Sequence, residues 1–255
     1  MKLRLGKAKD FVEFVKSAQI LEEAVFTVNE NGLFMRSMDP SRVALLDLNI
    51  PRDDFEEFQV YEESTEYVLG LSMDNLYKFL RRGNKSDSLA LKINEGDPSS
   101  DGHSSTLKIR FEGDYVKTFE VPLRDVDIDE QEMPDLHHTV SMNISADIIQ
   151  ESVKDAGLVS DSLSFEGDDD VSMFSEGSGQ RTETSNIGEK LLTNVEIGSD
   201  GSVRSTYALG YLSDVLGGLK KGKDLSVSFG SDMPLKASWD LYGDGEVVFV
   251  LAPRI

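Results

Sequence analysis

The sequence predicts an α+β chain built from two similar domains, each with two helices and a set of antiparallel strands. Two observations carry this. Hydrophobic spacing switches repeatedly from the 3.6-residue period of a helix to the two-residue period of a strand. The order of these switches also recurs after 136 residues. SMDNLYKFLRRGNKSDSLALKI (72–93) aligns with ALGYLSDVLGGLKKGKDLSVSF (208–229). In that alignment Leu76, Phe79 and Leu80 meet Leu212, Val215 and Leu216, and then Leu89, Leu91 and Ile93 meet Leu225, Val227 and Phe229.

The elements follow in order. AKDFVEFVKSA (8–18) reads as the first helix, and ADIIQESVKDA (146–156) matches it in the second half. After each comes a strand–turn–strand pattern. The first, AVFTVNENGLFMRSMD, turns at Glu30-Asn31-Gly32; the second, DSLSFEGDDDVSMFSEG, turns between Gly167 and Asp170. In SMDPSRVALLDL (37–48) the second part is a strand. Ala44, Leu46, Leu48 and Ile50 form its core face, which leaves Val43 and Leu45 on a face where alternation calls for polar residues. Between the halves, VPLRDVDIDEQEMPDLHH (121–138) has two prolines and six acidic residues and no regular period, so it reads as an extended connector. Its scattered apolar residues, Leu123, Val126, Ile128, Met133 and Leu136, imply that parts of it dock on a surface. The boundaries are therefore 1–121 for the first domain, 122–136 for the connector and 137–255 for the second domain.

The chain of 255 residues has no cysteine, so disulfides and thiolate chemistry are excluded. It opens without an apolar signal segment and has no run of about 20 apolar residues, which points to an intracellular, cytoplasmic protein. A net charge of −21 disfavours general adhesion to nucleic acid or membrane. The charge is unevenly placed. The predicted helical segments with their immediate ends, 7–18, 74–85, 147–157 and 208–223, hold eleven basic and seven acidic residues, whereas the rest holds 15 and 40; in the last of them Lys220 and Lys221 stand at the helix end. Lys78, Arg81, Arg82 and Lys85 follow i, i+3, i+4, i+7 spacing and would share one helix face opposite Leu76, Phe79 and Leu80. A solvated face with no acid in so acidic a chain suits phosphate.

Catalytic and metal-binding signals are weak. His103 lies in a Ser/Gly-rich loop, and the adjacent His137 and His138 point apart on an extended chain, with no cysteine nearby to complete a metal site. Asp168-Asp169-Asp170 is a hairpin tip without the spaced ligands of a calcium loop. GGLKKGK (217–223) lacks P-loop spacing. The expectation is a non-enzyme with no cofactor and no metal.

Five stretches together resemble the DNA sliding clamps of the proliferating cell nuclear antigen family, most closely the archaeal form. They are SMDPSRVALLDL, LRDVDIDEQEMPDL, KDAGLVSDSLSF, SDMPLK and the terminal FVLAPRI. The resemblance implies three chains closed into a ring, helices lining the hole and antiparallel sheets outside. It also implies a processivity factor that encircles double-stranded DNA without sequence preference. Such a clamp tethers DNA polymerase, nuclease and ligase through short docking motifs and is opened by a clamp loader. The DNA-facing residues it implies are Lys9, Lys16, Lys78, Arg81, Arg82, Lys85, Lys154, Lys220 and Lys221. The partner-docking residues it implies are Met38, Val43, Leu45, Met133, Pro134, Pro234, Val250, Leu251, Ala252, Pro253 and Ile255. Gln131 and Val250 depart from residues common among relatives. Ring closure would pair a strand near 115–121 with one near 180–187. The alternatives are one subunit of a heterotrimeric clamp, an acidic enzyme with a dispersed carboxylate site, or an acidic adaptor that does not touch DNA.

Overall fold

The computed structural model describes residues 1–60, 66–84, 86–94, 105–125, 131–185, 192–198 and 202–254. The chain divides into two compact units. The first takes Met1–Pro40, Leu46–Gln131 and Asp240–Val247; the second takes Ser41–Leu45, Glu132–Trp239 and Val248–Ile255.

The N-terminal run of elements is β1 (Lys2–Leu5), α1 (Ala8–Ser17), β2 (Glu23–Asn29), β3 (Gly32–Met38), β4 (Ala44–Pro51), β5 (Glu57–Gln59), β6 (Tyr67–Ser72), α2 (Met73–Leu80), β7 (Ser88–Asn94), β8 (Thr106–Glu112) and β9 (Val116–Pro122). The C-terminal run is β10 (Val140–Ser145), α3 (Ala146–Ala156), β11 (Ser162–Gly167), β12 (Val171–Gly177), β13 (Gln180–Ser185), β14 (Leu192–Ile197), β15 (Val203–Ala208), α4 (Leu209–Leu216), β16 (Asp224–Phe229), β17 (Leu235–Asp240) and β18 (Glu246–Leu251). Among the described residues each run has nine strands and two α-helices in the same order.

Pairing repeats as well. Strand order β5-β1-β7-β8-β9 in the first run corresponds to β14-β10-β16-β17-β18 in the second, and β6-β2-β3-β4 corresponds to β15-β11-β12-β13. The register is preserved: Glu23 to Val28 face Ser72 to Tyr67, as Ser162 to Gly167 face Ala208 to Val203. The duplication read from 136-residue spacing is thus present in the hydrogen-bond ladders.

Local chemistry explains the elements. On α1, Phe11, Phe14 and Val15 are buried with Ala8, the i, i+3, i+4 stripe of an amphipathic helix. On α3, Ile149, Val153 and Ala156 form the same stripe. Gln150 reaches from α3 to the end of α4, where its side-chain amide donates to the carbonyls of Leu216 (2.9 Å) and Leu219 (3.0 Å). That satisfies two C-terminal acceptors a helix leaves open. The β2–β3 hairpin is tight, pairing Asn29 with Gly32. A Cβ on Gly32 would overlap the backbone carbonyl of Ile50, so only glycine fits.

Two sequence expectations change here. The helix expected over 74–85 ends at Leu80; Arg81 is its cap and Arg82 lies in the following turn. Asp87 accepts from the Asn84 backbone at 2.8 Å and anchors that turn, and a side chain on Gly83 would collide with the Phe111 ring. A single helical face carrying four cations therefore does not form. The last helix likewise stops at Leu216, short of Lys220 and Lys221, with Gly217 as its cap; a Cβ there would overlap the Ser213 carbonyl, so the cap position takes glycine. Among the described residues no helix is long and apolar enough to cross a membrane.

Candidate functional site

The cations fall into groups. In the first unit Lys16 ends α1, Lys78 lies on α2, and Arg81 and Arg82 follow α2; all four are exposed. Lys9 is half-buried and sits 3.5 Å from Glu13 one helical turn on, so its charge is partly compensated within α1. Lys85 lies outside the described residues. In the second unit Lys154 is exposed on the last turn of α3. Lys220 and Lys221 are exposed in a turn tied to the start of α3, where the Gly222 N–H donates to the Asp147 carboxylate at 3.1 Å. Gly222 takes φ +73°, the left-handed conformation that lets this basic turn close.

The exposed cations thus come from helix C-termini and the turns after them. Placing cations at the negative end of a helix dipole is favourable in itself. It also puts Arg81 and Arg82 where their side chains are free of an ion pair within α2.

The apolar cluster expected for docking divides by burial. Within the second unit, Val43, Met133, Pro234, Ala252 and Pro253 are half-buried and Pro134 is exposed. Leu45 is 4% exposed, Val250 5% and Leu251 0%. The strict reading of β4 alternation therefore fails at Leu45. The face of β4 that carries Leu45 opens to water only further along, at half-buried Asp47 and exposed Asn49, so Leu45 and Val250 lie beneath the surface and Leu251 has no surface at all. Met38, in the first unit, is half-buried at the end of β3, and Ile255 lies outside the described residues. The backbone N–H of Ala252 donates to the Val43 carbonyl at 2.9 Å, which brings the C-terminal segment alongside the chain entering β4. Pro234 is held from behind. The buried Tyr207 hydroxyl donates to the Met233 carbonyl at 2.8 Å, and the same carbonyl accepts from Ser205 at 3.3 Å. Burial pushes the Tyr207 phenol well above its usual range, so it stays protonated and able to donate. The His138 imidazole bonds the Pro234 carbonyl at 2.8 Å; burial lowers its pKa, so the ring is neutral and donates through Nε2.

Of the connector, the described parts are 122–125 and 131–136. Its start is fixed: Leu123 N–H donates to Ser105 and Arg124 N–H to Gly70, each at 2.9 Å, and the Arg124 guanidinium pairs with Glu23. Met133 and Leu136 are half-buried; Val126 and Ile128 lie outside the described residues.

β9 is the last strand of β5-β1-β7-β8-β9, and β13 is the last of β13-β12-β11-β15. Tyr115 and Val116, at the start of β9, are 58% and 53% exposed. Lys117 donates to the Arg82 carbonyl at 2.7 Å and its ammonium lies 4.9 Å from the Tyr115 ring centre, which ties β9 to the basic turn after α2. On β13, Thr184 is bonded to Ser152 of α3 at 3.0 Å. Sequence reasoning passed over Lys117 and Ser152; neither belongs to a motif, and only the fold sets them beside these edges. Among the described residues there is no group of three His, Cys, Asp or Glu able to hold a metal.

The model of the proliferating cell nuclear antigen N-terminal domain matches residues 3–132. A DNA polymerase sliding clamp of Pyrococcus abyssi is 36% identical over 251 residues, 97% of this chain and 96% of its own. The chain belongs to the proliferating cell nuclear antigen family of DNA polymerase sliding clamps. Another member, DNA polymerase sliding clamp 1 of Thermococcus kodakarensis, is 35% identical over the same shares. Among solved structures, the proliferating cell nuclear antigen of Thermococcus kodakaraensis superposes with a TM-score of 0.88 at 31% identity, covering 99% of both chains. The proliferating cell nuclear antigen of A. fulgidus, solved with the C-terminal region of FEN-1 bound, shares the fold at TM-score 0.82 and 23% identity, over 100% of this chain and 98% of its own.

Proposed function

We propose that this chain is a homotrimeric DNA sliding clamp with no chemistry of its own. The observation that carries this is family membership over nearly the full length, joined to exposed cations gathered on helix ends in a chain of net charge −21. A closed ring holds DNA topologically, so its inner wall needs only weak, sequence-independent attraction to phosphate. Lys16, Lys78, Arg81, Arg82, Lys154, Lys220 and Lys221 supply it, with Lys9 weakened by Glu13. Lys85 keeps its assignment from the resemblance alone. The repeats 1–121 and 137–255 act as the two domains, joined by 122–136.

Ring closure follows from the duplication. By position in the repeat, β9 and β13 are the counterparts of β18 and β4. Within the second unit the chain leaving β18 is bonded to the chain entering β4, through Ala252 and Val43. Repeating that relation between chains joins β9 of one copy to β13 of the next.

Partners dock on Val43, Met133, Pro134, Pro234, Ala252 and Pro253, with Leu45 and Val250 beneath and Leu251 as support. Met38 and Ile255 are included on the resemblance. The relative solved with the C-terminal region of FEN-1 makes a nuclease tail the natural first partner to try. Tethering raises an enzyme's local concentration at its template. The protein acts on DNA inside the cell. Native mass in solution tests the reading. A three-chain species supports it; a strict monomer, alone and with loader, overturns it.

A further inference from the structure

The described residues after β18, Ala252 to Arg254, have no secondary structure of their own. Pro253 has no N–H, so between Ala252 and Arg254 it can offer the rest of the fold no backbone donor. Arg254 therefore supplies the next anchor. Its N–H donates to the Thr206 carbonyl at 2.7 Å. Its guanidinium donates through Nη1 to the Asp161 carboxylate at 2.6 Å and to the Asp161 carbonyl at 3.3 Å. Asp161 is itself fixed: its carbonyl accepts the N–H of Leu209, the first residue of α4, at 2.9 Å. The Asp161 backbone is thus anchored to the start of α4, and the hydrogen bond from Arg254, together with its charge, lowers the pKa of the carboxylate. The four groups belong to one compact unit.

We propose that Asp161 and Arg254 form an ionic latch that positions Ala252 and Pro253 for partner docking. This rests on the docking surface described above. Asp161 and Arg254 are positioning residues; neither needs to touch the partner. Their side chains are 80% and 46% exposed, so the pair is solvent-screened and its effect is modest. Screening also makes the latch sensitive to salt. The reach of a charge shrinks from about 10 Å at 0.1 M to about 3 Å at 1 M. Partner affinity is then partly set by the ionic strength around the clamp.

The test uses the full chain and a fluorescent peptide carrying one Gln and two spaced aromatic residues, read by anisotropy. Asp161→Asn and Arg254→Gln should each weaken binding by about two- to five-fold near 0.1 M salt, and the wild-type advantage should vanish near 1 M. Exchanging the pair, Asp161→Arg with Arg254→Asp, should restore affinity at low salt, which a purely structural role would not do. Equal affinity of the wild type and both single variants at low salt would overturn the latch while leaving the docking surface intact. Failure of the wild type to bind this peptide at all would remove the surface, and the latch with it. If an unfolded single variant prevents the comparison, the exchanged pair against wild type across the salt series decides the matter: a shared salt dependence supports the latch, and a flat one refutes it.

Discussion

Tyr207→Phe isolates one hydrogen bond beneath the docking surface. The Phe ring fills the same space, and the edge-on contact of Tyr207 with Phe165, at 5.7 Å and 72°, is kept. What is lost is the hydroxyl, which donates to the Met233 carbonyl at 2.8 Å. That carbonyl still has Ser205, at 3.3 Å, so it is not orphaned. The cost should therefore sit at the ordinary value for one neutral hydrogen bond, about 1 kcal/mol. Ser205→Ala removes the weaker donor and should cost about 0.5 kcal/mol. Together the two changes leave a shielded acceptor without its donors, and the double variant should lose about 2–3 kcal/mol, more than the sum. Urea denaturation of the wild type, both single variants and the double variant closes the cycle. In a chain of this size each kcal/mol moves the melting temperature by about 2–4 °C, so calorimetry reads the same order. Strict additivity, or a Tyr207→Phe protein as stable as the wild type, would refute the shared-acceptor reasoning and with it the idea that Pro234 is held from behind.

Other consequences can be checked separately. Reversing Lys78, Arg81 and Arg82 to Glu should cut polymerase processivity while native mass still shows the ring; unchanged processivity would remove the turn after α2 from the DNA-facing wall. Val43→Asp places a charge on the half-buried docking surface and should abolish peptide binding with little change in melting temperature, whereas retained binding would exclude Val43. Gly32→Ala forces a Cβ onto the Ile50 carbonyl and should destabilise by about 1–3 kcal/mol in denaturant titration; a neutral result would mean that the hairpin can shift. His138 is held neutral by burial, so its folded pKa lies below 6.5. Its contribution to stability is complete above 6.5 and is lost as pH falls through the folded value. Proton NMR should find the ring titrating below 6.5, and a midpoint at or above that value would contradict the assigned burial.

The duplication was legible because it is written twice: the Leu76/Leu80 and Leu212/Leu216 stripes, each leading into a strand, survive as α2–β7 and α4–β16. Helix ends were harder to read. RRGNKSD after Leu80 contains Gly and Asn, both termination signals, but the cation spacing Lys78 to Lys85 ran through them and suggested a longer face. What fixes the turn after α2 is partly non-local: Asp87 accepts from the Asn84 N–H, and the Phe111 ring leaves no room for a side chain at Gly83. Lys9 illustrates a local signal left unused, since Glu13 stands four residues on. Leu45 marks the limit of alternation. A period-two pattern shows which residues share a face, but not what covers that face, and here Leu45 is nearly enclosed. The Asp161–Arg254 pair is separated by 93 residues and belongs to no motif, so only the fold could reveal it.

The six side chains of β13 are Gln180, Arg181, Thr182, Glu183, Thr184 and Ser185, with no apolar residue among them. Arg181 is already engaged with Glu176 and Glu183 of its own chain, and its guanidinium lies 4.2 Å from the Phe174 ring centre. A ring joint that uses this strand is a zip of backbone hydrogen bonds on one lip and wets cleanly when parted. A loader that pulls it open then works against directional bonds rather than a greasy seal, and the freed lip offers stray strands little reward for sticking. For a ring that must be opened to admit DNA and then shut again, a polar lip keeps the gate reusable.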